Sequence, residues 1–279
     1  MNYTIVNGKI QSAEEPSLLV SNRSYRYGHG LFETMKWMNG KIRLADFHFE
    51  RLFSGLDLLK IRYPKHFTAE KISEEVEKLC IKNQCLGLAR VRLSVSRGNG
   101  GLFDNDTSLR YVIESWPLSD TINLLNENGL DIGIYTDARK SFDKFANLKS
   151  ANFLPYAMAA AYAREKNLND CIVLNQEERV ADTTIANIFL IVKDEILTPA
   201  LSEACIAGTM RKYLILQFKK GGVKIRETEI TVQNAQEADE IFLTNAVQGL
   251  RWVKRFGDKR FVCKKTAEIY QQFVRTIPI

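Results

Sequence analysis

The chain is poor in proline, with 6 in 279 residues, and its 16 glycines are too few for a fibrous or low-complexity protein. No apolar run approaches the roughly 18 residues that a membrane helix needs. The N-terminus, MNYTIVNGKIQSAEE, lacks the basic-then-apolar order of a secretory signal, so a soluble, cytoplasmic protein is expected, without membrane partners. Five cysteines, Cys80, Cys85, Cys171, Cys205 and Cys263, show no paired spacing, and three histidines, His29, His48 and His66, form no HExxH pair. These absences argue for buried free thiols and against a metal site. Also missing are a GxGxxG fingerprint, a GxSxG elbow and a Walker loop, since RGNGG has no lysine behind it.

What is present is ordinary globular composition, 45% hydrophobic and 26% charged. That allows one large domain or two medium ones. Lys and Arg number 39 against 33 Asp and Glu, a net charge of +6. The cations are scattered among acids, in KLCIKNQC, KSFDKFANLK and VKRFGDKR, and do not form the stripe typical of nucleic-acid proteins. A phosphorylated cofactor or a carboxylate substrate would need only a few of them in one pocket.

Hydrophobic alternation about Asn7-Gly8 and again about Asn39-Gly40 predicts two hairpins. Helical spacing predicts helices over residues 46–60, with Asp46 as N-cap, and over 68–82, capped by Thr68. LARVRLSVSRG alternates strictly and predicts a strand, and YVIESWPLS predicts another. WPLSDT breaks the pattern, so domains over 1–117 and 118–279 are expected. In the second, a strand LDIGIYTD precedes an Ala-rich helix over 152–166. A meander CIVLN, VADTTIANIFLIV, ILTP follows, then a helix over 208–219, strands VKIRETEI and EIFLTN, and a last helix from Lys265. The order predicts an α+β protein with antiparallel sheets and helices packed on them.

Four segments in order carry a family resemblance: RYGHGLFETMKWMNGKIRLADFHFERL, LKSANFLPYAMAAAYAREKNLNDCIVLNQEERVADTTIANIFLI, ALSEACIAGTMRKYLI and EADEIFLTNAVQGLRWV. Together they resemble the class IV aminotransferases, the fold-type IV enzymes that use pyridoxal 5′-phosphate. That group includes branched-chain and D-amino-acid aminotransferases and aminodeoxychorismate lyase. The resemblance implies a two-domain, D-amino-acid-aminotransferase-like fold and a homodimer.

It also implies residue roles. Lys149 would be the Schiff-base lysine and the general base for the Cα proton. Asp182, 33 residues on, stands where the family usually has Glu to face the pyridine nitrogen. Arg51 matches a phosphate-binding arginine, and Thr209, behind Gly208, would offer a hydroxyl and helix-start N–H groups. Ala246 falls where the family often has Thr, leaving only its N–H for the phosphate. Phe32 and Thr34 would line the substrate pocket, and Arg97 is a candidate for a substrate carboxylate. Phe153 replaces a residue that is often Tyr beside the cofactor hydroxyl.

The residues support two reactions equally. One is a branched-chain-type aminotransferase passing an amino group from an amino acid to a 2-oxo acid; the other is aminodeoxychorismate lyase, which releases pyruvate and 4-aminobenzoate. SRGNGG resembles a lyase loop, but Leu102 follows where a lyase often continues with Arg-Gly. The aminotransferase is the expected activity.

Overall fold

The computed structural model describes residues 2–277 apart from Pro16 and Leu86. Two compact units divide the chain: residues up to Thr121 together with Lys149–Asn152, and 122–148 together with 153–277.

The first unit is a six-stranded sheet with every pairing antiparallel. Its strands are β1 (Tyr3–Val6), β2 (Lys9–Ser12), β3 (Gly30–Met38), β4 (Lys41–Ile42), β5 (Leu88–Arg97) and β6 (Leu109–Pro117), in the order β2-β1-β6-β5-β3-β4. Both expected hairpins form. Asn7 and Gly8 (φ 48° and 84°) and Asn39 and Gly40 (φ 48° and 85°) take the left-handed pairs that match strand twist. Helices α1 (Arg23–Tyr27), α2 (Ala45–Leu58) and α3 (Ala69–Lys82) complete the unit. Leu52 and Leu56 of α2, Ile72, Val76 and Leu79 of α3, and Ile5, Val91, Leu93 and Ile113 of the sheet are buried. Thr68 caps α3 as expected, its hydroxyl accepting the Lys71 N–H at 3.2 Å. Asp46 is not the cap of α2. That position belongs to Leu44, left-handed at φ 58° and without a capping side chain, and Asp46 lies in the first turn.

In the second unit a nine-stranded sheet is built from β7 (Leu130–Lys140), β8 (Asp170–Asn175), β9 (Val180–Thr183), β10 (Asn187–Val192), β11 (Glu195–Pro199), β12 (Ile225–Thr228), β13 (Glu240–Asn245), β14 (Gly249–Phe256) and β15 (Lys259–Arg260). The order is β12-β11-β10-β13-β14-β7-β8-β9, with β15 on β14. The helices are α4 (Leu154–Glu165), α5 (Thr209–Lys220), α6 (Val232–Glu237) and α7 (Lys265–Ile269), the last running into a π-helical turn Tyr270–Val274.

The sheet is mixed where antiparallel sheets were expected: β7–β8, β7–β14 and β11–β12 are parallel, the other pairings antiparallel. The Ala-rich helix α4 lies between β7 and β8 in the chain and supplies the crossover that a parallel pair requires. VADTTIANIFLIV is two strands, not one. Buried Asp170 accepts from the Thr183 hydroxyl (2.9 Å) and from the Thr184 hydroxyl and N–H (2.6 and 3.0 Å), which turns the chain between β9 and β10. One buried cluster gathers Ile132, Ile172, Ile188, Leu190, Ile241 and Val253. Phe189 and Phe242 stack with centroids 4.9 Å apart, and Phe218 of α5 meets Phe189 edge-on. All five cysteines are free thiols, four of them buried. Among the described residues no helix is long and apolar enough to cross a membrane, and no three His, Cys, Asp or Glu side chains converge on a metal position.

Candidate active site

Lys149 is fixed by backbone pairing. The upper end of β3 pairs with β5 on one side, and Lys149–Ala151 lies along its other edge. The Phe32 N–H donates to the Lys149 carbonyl (3.0 Å), the Ala151 N–H donates to the Gly30 carbonyl (2.8 Å), and Leu31 bridges Ser150. This brings the Lys149 Nζ to 4.4 Å from the centroid of the buried Phe32 ring. Thr34 follows two residues on, on the same face of β3 by strand alternation. Lys149, Phe32 and Thr34 are thus grouped about one edge of the sheet.

A second cation joins them that sequence spacing did not single out. Arg92, opposite Thr34 on β5, holds its guanidinium carbon 3.9 Å from the same ring centroid and its Nε 3.0 Å from Ser94 Oγ. Burial, the largest influence, lowers its pKa; Glu114 across the strand pair opposes that shift. The strict alternation of LARVRLSVSRG carried the signal, since Arg92 and Ser94 fall on the Phe32 face. A cavity of about 470 Å³ opens in this unit, lined by Ser24, Ser94, Ser96, Arg110, Tyr111 and Ala151 among others. That is within the usual size range for a small-molecule pocket.

Arg51 projects from α2 onto Glu33 of β3, with Nε 2.8 Å from Oε1 and Nη2 2.5 Å from Oε2. His48 Nδ1 lies 2.7 Å from the same Oε2. Burial opposes the charge on Glu33, but Arg51 and His48 overcome it and hold the carboxyl at about 2. Burial keeps His48 neutral, and because its neighbour is an anion, Nδ1 carries the proton and donates. The charge of Lys149 also lowers the His48 pKa, which ties this cluster to the lysine electrostatically. Arg51 is thus braced by a buried carboxylate that sequence spacing alone did not reveal. Arg97 ends β5, its N–H bound to the His29 carbonyl at 3.2 Å. Its Nε is buried without a hydrogen-bond partner among the described residues. Strand alternation puts Arg97 on the face opposite Arg92 and Ser94.

The second unit carries Asp182, Thr209 and Ala246. Asp182 lies on β9, 2% exposed, and its two oxygens accept from the Tyr156 hydroxyl at 3.1 and 2.9 Å. The Ile206 N–H donates to Oδ2 (2.9 Å), and Lys140 Nζ is 3.9 Å from the same oxygen. Thr209 is the first residue of α5, whose N-cap is Gly208 with no side-chain cap bond. The first N–H groups of that helix are accordingly presented to an anion. A Cβ on Gly208 would come 1.9 Å from Asn187 Oδ1, so the close approach demands glycine. Phe189 and Phe242 share the face that meets α5, and alternation places Asn187 and Thr244 on it too. The Thr244 hydroxyl is buried with no partner among the described residues. Ala246 stands just beyond, in a half-buried turn where Asn245 Oδ1 accepts the Val247 and Gln248 N–H groups at 3.1 and 2.7 Å.

A profile of the family described as Amino-transferase class IV matches residues 30–256. The chain belongs to the class IV aminotransferases. It is 24% identical to D-alanine aminotransferase of Listeria monocytogenes serotype 1/2a (strain 10403S), over 98% of this chain and 95% of the relative. It is 28% identical to aminodeoxychorismate lyase of Bacillus subtilis (strain 168), over 87% of this chain and 82% of that one. Among solved structures it resembles the branched-chain aminotransferase of the thermophilic archaeon Thermoproteus uzoniensis with norvaline, with a TM-score of 0.87 at 22% identity, covering 99% and 94% of the two chains. This class IV aminotransferase therefore has the fold-type IV architecture, with identities too low to carry a substrate across.

Proposed function

We propose that the protein is a pyridoxal 5′-phosphate-dependent aminotransferase that moves an amino group from an amino acid to a 2-oxo acid, with Lys149 as the cofactor-bearing lysine. The observation that carries the reading is the pinning of Lys149 on the β3 edge with its amine 4.4 Å from the Phe32 ring. A surface lysine has no need of a carbonyl bound to the sheet edge, a following strand pairing and an aromatic wall.

The residues of this chain fit the cofactor. Orphaned Thr244 Oγ1 and the uncapped start of α5 at Thr209 are what a phosphate group would satisfy. The N–H of Ala246 and the guanidinium of Arg51, held by Glu33, are the further phosphate contacts of this reading. Asp182, ringed by donors, suits an anion facing a pyridinium nitrogen. Bound pyridoxal phosphate supplies an electron sink for the pair left at the substrate Cα when its proton is removed. The Lys149 amine takes that proton and returns it, so its neutral form must be reachable and its position fixed. Phe32 and Thr34 shape the wall beside it, whereas Arg97, the expected partner of a substrate carboxylate, lies on the other face of β5 and is not brought to that wall. We take the two compact units as the domains of the fold, and a homodimer in a reducing cytoplasm suits the family and five free thiols.

The test is the visible absorption spectrum with pyridoxal phosphate, before and after L-glutamate. Loss of the lysine-bound band with release of 2-oxoglutarate establishes the transaminase, and Lys149→Ala must abolish the band. A second reading, aminodeoxychorismate lyase, is favoured by SRGNGG and by the Bacillus relative. A band that ignores amino donors, with 4-aminobenzoate released from aminodeoxychorismate, would replace the first reading by this one.

A further inference from the structure

An aspartate in place of the usual glutamate is about one methylene too short, yet Asp182 is among the most tightly held side chains of its unit. Tyr156, in the first turn of α4, donates its phenol to both carboxylate oxygens (3.1 and 2.9 Å). Its ring is 5% exposed and stacked on Phe153 with centroids 4.4 Å apart, so the hydroxyl has little freedom to swing away. The Ile206 N–H holds Oδ2 from another direction at 2.9 Å. Lys140 is fixed in turn: its Nζ donates to the Ala146 carbonyl (2.9 Å) and sits 5.1 Å from the Tyr156 ring centroid and 3.9 Å from Asp182 Oδ2. A carboxylate as buried as this one would take up a proton unless donors and a counter-charge favoured its anion.

We propose that Tyr156 is the positioning residue that aims Asp182 and keeps it anionic for a cofactor ring nitrogen, with Lys140 as the fixed counter-charge. The inference rests on the pyridoxal phosphate reading and deepens it. The phenol does what the missing methylene would otherwise do: it sets where the carboxylate oxygens stand. Burial and the Asp182 charge raise the Tyr156 pKa well above the usual phenol value, which favours the phenol as the donor. The tyrosine acts through Asp182 and needs no contact with the reacting atoms.

The test uses the full chain loaded with ring-¹⁵N-labelled pyridoxal phosphate and reads the ring nitrogen resonance, with cofactor affinity measured alongside. In the wild type the nitrogen should be protonated. Tyr156→Phe keeps the ring and removes the donor. It should move the resonance toward neutral pyridine and weaken cofactor binding about 10- to 100-fold, the worth of a hydrogen bond to a charged group. Adding Asp182→Glu to Tyr156→Phe should restore the protonated signal, because the longer carboxylate no longer needs aiming. An unchanged resonance and affinity in a folded Tyr156→Phe protein overturns the proposal and leaves Tyr156 a core residue, as does failure of the double variant to recover. If Tyr156→Phe does not fold, Lys140→Met carries the test, since loss of the counter-charge must also shift the resonance toward neutral pyridine, and no shift refutes it. A wild type that forms no lysine-bound band at all overturns the cofactor reading itself, which is a different result from a loaded protein whose ring nitrogen ignores Tyr156.

Discussion

Replacing Glu33 by Gln removes one negative charge from the centre of the first unit and leaves the shape nearly intact. The Glu33 carboxyl is fully buried and held at about 2, against an ordinary value of 4.5, by Arg51 and His48. At about 1.4 kcal/mol for each tenfold change in proton affinity, that difference contributes on the order of 3 kcal/mol to folding. Breaking a buried ion pair by removing one partner costs about 3–5 kcal/mol, a consistent figure. The sign is set by the depressed carboxyl pKa: the stabilisation is complete above about pH 4.5 and is lost as the pH falls toward 2. Neutral, buried His48 adds a loss of the same sign that begins below pH 6.5, because only the unfolded chain accepts its proton readily. Guanidinium unfolding followed by circular dichroism should place Glu33→Gln about 3 kcal/mol below the wild type at pH 7. Toward pH 2 the difference should shrink. A variant within about 0.5 kcal/mol of the wild type at pH 7, or one showing the full wild-type acid loss below pH 4.5, refutes the assignment of that energy to the cluster.

Four further outcomes are expected. Lys149→Ala should fold normally yet lose amino-group transfer by at least about a thousandfold, checked by assaying release of the 2-oxo acid. Gly208→Ala forces a methyl group into Asn187 Oδ1 and should weaken cofactor binding by about 1–3 kcal/mol without changing the far-ultraviolet spectrum, read by titration. Asp170→Ala leaves the Thr184 hydroxyl and two N–H groups without their acceptor and takes one of two partners from the Thr183 hydroxyl, and should cost about 2–4 kcal/mol in a denaturant melt. Light scattering should find a dimer, and a monomer would count against the homodimer.

The local pattern disclosed what was local. Asn-Gly pairs, strict alternation and Thr68 before an amphipathic run each act within a few residues, and the hairpins, β5 and α3 follow them. Lys149 stands out in the sequence because its neighbours match a motif. Other features needed distant parts of the chain to meet. The break between β9 and β10 depends on Asp170, and Leu44 replaced Asp46 as the cap because the chain arrives there left-handed from β4. β14 was missed since RWVKRF is rich in charge, and the structure absorbs that charge: Arg251 donates to the carbonyls of Ile122 and Leu124. The braces Glu33 on Arg51 and Tyr156 on Asp182 come from separate elements of the fold, and no spacing rule reaches them.

The strip of chain from Lys149 to Ala151 that completes the β3 edge has a consequence for how such proteins can be taken apart. Severing the chain after Thr121 would leave the Phe32 N–H and the Gly30 carbonyl exposed on a raw edge. The isolated fragment would therefore be sticky, and a short peptide spanning 147–153, supplied in trans, would be its natural complement by strand addition. By the same logic, trading this unit between relatives succeeds only when both pieces travel together. The hereditary module is discontinuous: a long stretch of gene and, well downstream of it, a four-residue postscript.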